Sequence, residues 1–140
     1  MIVADSGGIY ALYDADDAYH GAVRKVVLTE RDTIHVPVAC LAEIDFLLRT
    51  RLGLQAELDF LEALSTGRFP LEPLERTDIE RCSVLLERYR KLDIGLSDAS
   101  VVAVAERLGT RRILTVDRRD FEVVRAHDGT RFTILPKRSG

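Results

Sequence analysis

The chain has no tryptophan, one methionine, two cysteines and four prolines, and aromatic residues fill only 6% of its 140 positions. Each shortage excludes something. Cys40 and Cys82 form no CxxC pair, so neither a zinc site nor a disulfide scaffold is in view. Both read as small buried hydrophobes of a reducing cytoplasm. No apolar run approaches the ~20 residues that a membrane span needs. The opening Met1-Ile2-Val3-Ala4-Asp5 lacks the basic stretch and cleavage site of a secretory signal. Linkers, repeats and low-complexity tracts are also missing. His20, His35 and His127 are scattered, and none stands in a Ser-His or Cys-His context. They read as structural or surface residues, and no nucleophile is paired with a base. What is present, 46% hydrophobic and 31% charged residues, suits a single soluble domain over 1–140, expected in the cytoplasm.

The net charge of −3 argues at first against a polyanionic partner. Its distribution argues the other way. From Arg111 to Gly140 there are eight Arg or Lys and four Asp or Glu, a local charge of +4. If four of the chain's acids bind metal, the remaining formal charge becomes +1.

Patterning alternates between short apolar runs and helical periods. Ile2–Ala4 reads as a buried strand, with Gly7 and Gly8 where it gives way to a helix or loop. Residues 17–29 have helical spacing, Thr33–Val36 is a second strand, and Pro37 suits a first helical turn. A long helical pattern runs to Leu52, Gly53 interrupts it, and another covers 54–65. Phe69–Leu74, broken by Pro70 and Pro73, is at best an edge strand. Helices over 77–92 and Ser97–Leu108, a strand over Arg112–Val116, a turn at 117–121 and a strand at Phe132–Leu135 complete the chain. Strands separated by helices predict an α/β fold with a parallel sheet covered on both faces. Ligands in such folds bind at the carboxyl ends of the strands.

That rule gives weight to four acids. Asp5 follows the first strand and Asp117 follows Ile113–Val116, so both belong at the carboxyl edge, where either also suits a helix cap. Glu43 lies in the apolar Pro37–Leu48 segment with Ala39, Cys40, Phe46 and Leu47 at helical spacing and no basic neighbour. A carboxylate so placed needs a partner from elsewhere, a proton or a metal. Asp45 contrasts with it, because Arg49 stands at i+4 as a ready ion-pair partner. Asp98 sits above the stripe Val101, Val102, Ala105, Leu108, and Ser97 is the natural cap. The helix dipole accounts for an acid at that end, but not for one on the apolar face. Crowded carboxylates repel unless a cation neutralises them. Oxygen ligands of this kind suit Mg²⁺ or Mn²⁺, which can activate water against a phosphodiester.

The segments Val3–Gly7, Val38–Ile44, Leu96–Gly109 and Ile113–Phe121 resemble the PIN-domain nucleases, in particular the VapC toxins of type II toxin–antitoxin pairs. Order, spacing and length agree over nearly the whole chain. The resemblance implies a PIN-like three-layer α/β/α fold with a twisted parallel sheet of four to five strands. It also implies a Mg²⁺-dependent (or Mn²⁺-dependent) endoribonuclease, a homodimer and a VapB-like antitoxin. Its metal-site acids map onto Asp5, Glu43, Asp98 and Asp117, with Ser6 and Thr115 in supporting places, and Asp93 is an extra acid near the matched segments with a supporting role left open. Asp120, flanked by Arg118 and Arg119, reads as a structural ion-pair partner, and Arg112, Arg118 and Arg119 as candidates for RNA phosphates. The stretch 38–64 is the expected antitoxin groove, with Phe46, Leu47, Phe60 and Leu61 as contacts or, for at least half of them, core residues.

Three other readings compete. A Mg²⁺-binding receiver domain has strand-end acids and a Lys after its last strand, which Lys137 would supply. It also needs paired acids after the first strand and a phosphoacceptor after the third, and it leaves Glu43 unexplained. A degenerate RNA-binding relative would not need all four acids. An RNA-processing nuclease without an antitoxin keeps the same site, and a short upstream reading frame for a DNA-binding partner would separate it from a toxin.

Overall fold

The computed structural model describes residues 1–138. Five strands form one sheet: β1 (Ile2–Ala4), β2 (Ile34–Pro37), β3 (Leu71–Glu72), β4 (Arg112–Leu114) and β5 (Thr133–Leu135). Their order is β3-β2-β1-β4-β5 and every pairing is parallel. Seven helices connect and cover them: α1 (Ser6–Tyr13), α2 (His20–Thr29), α3 (Leu41–Arg51), α4 (Leu54–Ser65), α5 (Arg76–Arg88), α6 (Leu96–Leu108) and α7 (Arg118–Val123). The expected parallel α/β/α arrangement is observed, with five strands.

β1 is central, and Ile2, Val3 and Ala4 are all fully buried, so its alternating side chains meet cover on both faces. α6 packs across β1, β2 and β4 with α5 outside it. α1 packs with α2 and α3, and α4 lies on α3. α6 buries every residue from Ala99 to Ala105, because small and β-branched side chains let it sit close to the sheet on one side and α5 on the other.

Local differences from the sequence reading have physical causes. The helical pattern after β2 starts with a single 3₁₀ turn, Val38–Cys40, before α3 begins at Leu41. Pro37 ends β2 rather than opening a helix; it pairs in register with Glu72 of the two-residue edge strand β3. The expected turn at 117–121 is the short helix α7. α1, left open between helix and loop, is a helix whose first turn presses on β4. A Cβ on Gly8 would lie 2.5 Å from the Leu114 carbonyl oxygen, so only glycine fits there. Gly8→Ala is expected to lower the unfolding free energy by about 3 kcal/mol in a urea titration. Gly21→Ala, in α2 with open space around it, should be neutral or slightly stabilising.

The strand order reverses between β1 and β4, one branch running on to β2 and β3 and the other to β5. A crevice therefore opens at the carboxyl ends of β1 and β4. Asp5 follows one of these strands and Thr115–Asp117 follow the other.

Candidate active site

Asp5 is 5% exposed and held on both oxygens. Oδ1 accepts the Gly8 amide at 2.7 Å, capping α1, and Oδ2 accepts the Thr115 hydroxyl at 2.5 Å. The fully buried Thr115 hydroxyl also accepts the Asp117 amide at 3.0 Å. One threonine thus couples the acid after β1 to the loop after β4. Burial pushes Asp5 up to about 7. The two hydrogen bonds oppose the shift, and Asp98 and Asp117 add to it through charge repulsion.

Asp98 stands in the first turn of α6 and is partly buried. The helix is capped by Gly95, not by Ser97, and Asp98 reaches back to the Gly95 amide at 3.4 Å. Its pKa is raised, mainly by burial and further by Asp117, Glu43 and Asp120. Asp117 is exposed, and although it precedes α7 its side chain caps nothing. The capping explanation therefore holds for Asp5 and fails for Asp117.

Glu43 departs from expectation. It is exposed, in the first turn of α3, not buried among apolar side chains. α3 buries only Ile44 and Leu48, and the apolar positions Ala42 and Phe46 on its other sides face outward, which made the segment look buried all round. Glu43 still lies within electrostatic reach of Asp98 and Cys40. The Asp45–Arg49 pair is not formed: Arg49 turns to Glu57 on α4 at 3.2 Å, and Asp45 also faces Glu57.

Asp120 is the larger correction. It has no ion pair among the described residues, since Arg118 engages Glu122 instead. It is 5% exposed, and its pKa is raised by burial first and then by Asp117, against the pull of Arg119. Asp117 and Asp120 are three residues apart across the start of a helix, a spacing that puts them on one side and could have marked Asp120. Asp93 is exposed and within reach of Asp120. Ser6 is 4% exposed, with its hydroxyl oxygen buried and lacking a hydrogen-bond partner.

The basic candidates divide. Arg112 lies at the amino end of β4, away from the acids, bound to Glu30 at 2.8 Å and Asp32 at 3.0 Å, and so is not brought to the site. Arg118 is held by Glu122 and the Pro136 carbonyl. Arg119 is exposed beside Asp120 and has no ion pair among the described residues. The histidines are structural: His20 meets the Ala11 carbonyl, His35 bridges Thr33 and Glu72, and His127 meets Glu106. Both cysteines are free and buried, and burial pushes Cys40 up to about 12 and Cys82 to about 11.

Asp5, Glu43, Asp98, Asp117 and Asp120 therefore share one edge of the sheet, and among the described residues none of them pairs with a cation. The grouping is loose. Among the described residues no three His, Cys, Asp or Glu side chains are gathered as ligands to one ion. Comparison with known proteins matches the PIN domain to residues 2–126. The chain belongs to the PIN-domain family.

Among relatives of this PIN domain, Ribonuclease VapC26 of Mycobacterium tuberculosis is 36% identical over 135 residues, spanning 96% of this chain and 100% of the relative. The fold is that of Mycobacterium tuberculosis VapC20, described as a sarcin-ricin loop cleaving toxin. That structure gives a TM-score of 0.77 at 22% identity, covering 84% of this chain and 90% of that one. VapBC2 from Rickettsia felis, bound to a DNA fragment from their promoter, gives 0.65 at 16% identity, covering 96% and 98%.

Proposed function

We propose that this PIN domain is a divalent-metal-dependent endoribonuclease of the VapC type, acting as the toxin of a toxin–antitoxin pair. The observation that carries the reading is the set of uncompensated carboxylates at the switch point of the sheet, in a chain 36% identical to a ribonuclease.

The residues present fit a hard cation. They offer oxygen donors only, three of the acids (Asp5, Asp98 and Asp120) are pushed up by burial and mutual repulsion, and a buried serine hydroxyl lacks a partner. Asp5, Glu43, Asp98 and Asp117 would hold Mg²⁺ or Mn²⁺, and Asp120 joins them as a fifth acid on the same edge. Such an ion, when bound, would supply Lewis-acid polarisation of the phosphodiester and help to activate the attacking water. The chain's own residues do the positioning. Thr115 and Gly8 fix both oxygens of Asp5, and Thr115 also sets the backbone that carries Asp117. Ser6, next to Asp5 in the chain, keeps a buried hydroxyl beside Cys40, and Arg119 can meet a phosphate at the rim. Asp93 supports the cluster only through its charge.

A VapB-like antitoxin is the proposed partner. Of the four groove candidates, Phe60 is fully buried and Leu47 packs against the core, whereas Phe46 is 64% exposed and Leu61 is also exposed. Leu54, Leu58 and Leu61 are exposed along α4, extending an apolar face suited to a protein partner. Assembly as a homodimer and residence in the cytoplasm complete the proposal. No helix among the described residues is long and apolar enough to cross a membrane.

The test is digestion of total cellular RNA by the purified chain, with Mg²⁺ and with excess chelator. Discrete fragments that need the metal are expected. Intact RNA with both Mg²⁺ and Mn²⁺, together with no heat of binding for either ion, would overturn the reading.

A further inference from the structure

Beside the acid cluster lies a cavity of about 210 Å³ lined by Tyr19, Thr115, Arg118, Pro136, Lys137 and Arg138, among others. It shares a wall with the candidate active site, because Thr115 is the residue bonded to Asp5 and Asp117. Its charge is opposite to that of the cluster. Glu122 is shared by Arg118 at 3.1 Å and Arg138 at 2.8 Å, and Lys137 has no acidic partner among the described residues. Three cations line it, two of them share Glu122, and Asp5 and Asp117 lie behind the Thr115 wall, so Lys137 is the cation left unpaired on the cavity side. Arg118 also donates to the Pro136 carbonyl, which ties the segment after β5 to α7 and holds the cavity's shape.

Tyr19 has no structural duty that accounts for its ring. It is 50% exposed, lies outside the core cluster, and its hydroxyl makes no hydrogen bond among the described residues. An aromatic face next to unpaired positive charge is the pairing that single-stranded nucleic acid uses, with bases stacking on the ring and phosphates meeting the cations. The cavity is smaller than the ~300–1,000 Å³ of pockets that hold drug-sized ligands, so one planar ring system fills it.

We propose that this cavity receives one unpaired base flanking the scissile phosphate of a single-stranded or looped RNA. Tyr19 is the stacking platform and Lys137 the phosphate contact; both are positioning residues. The inference rests on the ribonuclease reading and adds to it the cavity and the residues that take a base beside the scissile phosphate. An unstacked base is required, so paired RNA is excluded from the cavity. The acids repel an RNA backbone, and this basic pocket supplies affinity that does not depend on the metal.

The test separates binding from cleavage. Fluorescence anisotropy with short homopolymeric strands of U, A and C, in chelator, reads binding alone. Tyr19→Ala is expected to weaken it about 5- to 100-fold, whereas Tyr19→Phe, which keeps the ring, stays within about twofold. Lys137→Gln should reduce the slope of log affinity against log salt by roughly 0.7 to 1. Double-stranded RNA should show no Tyr19 effect. With Mg²⁺ and a cleavable RNA, Tyr19→Ala should raise KM and leave kcat nearly unchanged. Melting curves of each variant should stay close to the parent, since the ring is half exposed and outside the buried core cluster. Unchanged single-strand binding and KM in Tyr19→Ala, or equal losses in the Ala and Phe variants, overturn the pocket while RNA cleavage by the parent stands. A parent that binds through Tyr19 yet cuts no RNA overturns the nuclease reading and, with it, the pocket's place in cleavage.

Discussion

Asp98→Asn is expected to slow RNA cleavage by about 10²- to 10⁴-fold while leaving the protein at least as stable as its parent. The substitution is nearly isosteric, and the amide oxygen can still accept from the Gly95 amide, so the start of α6 keeps its contact. What disappears is one negative charge that burial, Asp117, Glu43 and Asp120 all oppose. Removing a charge that its surroundings disfavour relieves strain on the fold. A drop in activity with an unchanged or raised melting temperature would mark Asp98 as held for chemistry at a cost to stability. Full activity in the purified variant would remove Asp98 from the proposed site. Lost activity with a lowered melting temperature would reduce its role to structural support of α6.

How far the sequence spoke for this site depends on which kind of signal each residue left. Asp5 and Asp117 could be placed because apolar strand runs end just before them, and strand ends on a parallel sheet share an edge whatever the loops do. Asp98 could be placed because the apolar stripe beneath it fixes the side of the helix it shares. Thr115 leaves little signal in the sequence, since nothing local shows that a buried hydroxyl at a strand end will bond to an acid 110 residues away. That contact is created by β1 and β4 lying side by side, which is a property of topology.

The misreadings share a cause. The sequence around Glu43 is apolar on every side of its helix, yet α3 leaves Phe46 and Ala42 outside. An all-round apolar helix signals burial only when nothing else is meant to cover it. For Arg112 and Asp120, position along the chain is a poor guide to the partner. The partners that matter come from the α2–β2 loop in one case and from the carboxylate edge in the other. Local charge pairing is weak in water, so a long arginine goes wherever tertiary structure sets a better acid. Arg49 turning from Asp45 to Glu57 follows the same rule.

Asp5 sets the second large expectation, in the stability of the metal-free protein against pH. Its carboxyl titrates near 3.8 when the chain is unfolded and about 7 when folded, so the folded state takes up a proton between those values. A group raised in this way contributes fully below the unfolded value, and its contribution is lost as the pH climbs through the folded one. The span amounts to on the order of 4 kcal/mol. In chelator, Asp5→Asn should therefore melt above the parent at slightly alkaline pH, and the gap should narrow as the pH falls toward ~4. Comparing the two proteins isolates this carboxyl from those that shift the other way, such as Asp128, held down to about 2 by its bonds to Thr130. Mg²⁺ reverses the comparison. A cation that binds the ionised cluster stabilises the parent and not the variant, and does so most where Asp5 has lost its proton. Thermal shifts with Mg²⁺ should thus grow with pH in the parent and stay small in Asp5→Asn. If both proteins gain equally, the ion is binding elsewhere. If the metal-free parent shows no loss between ~4 and ~7 relative to the variant, Asp5 is charged in the folded protein at no cost, and the cluster is not short of positive charge.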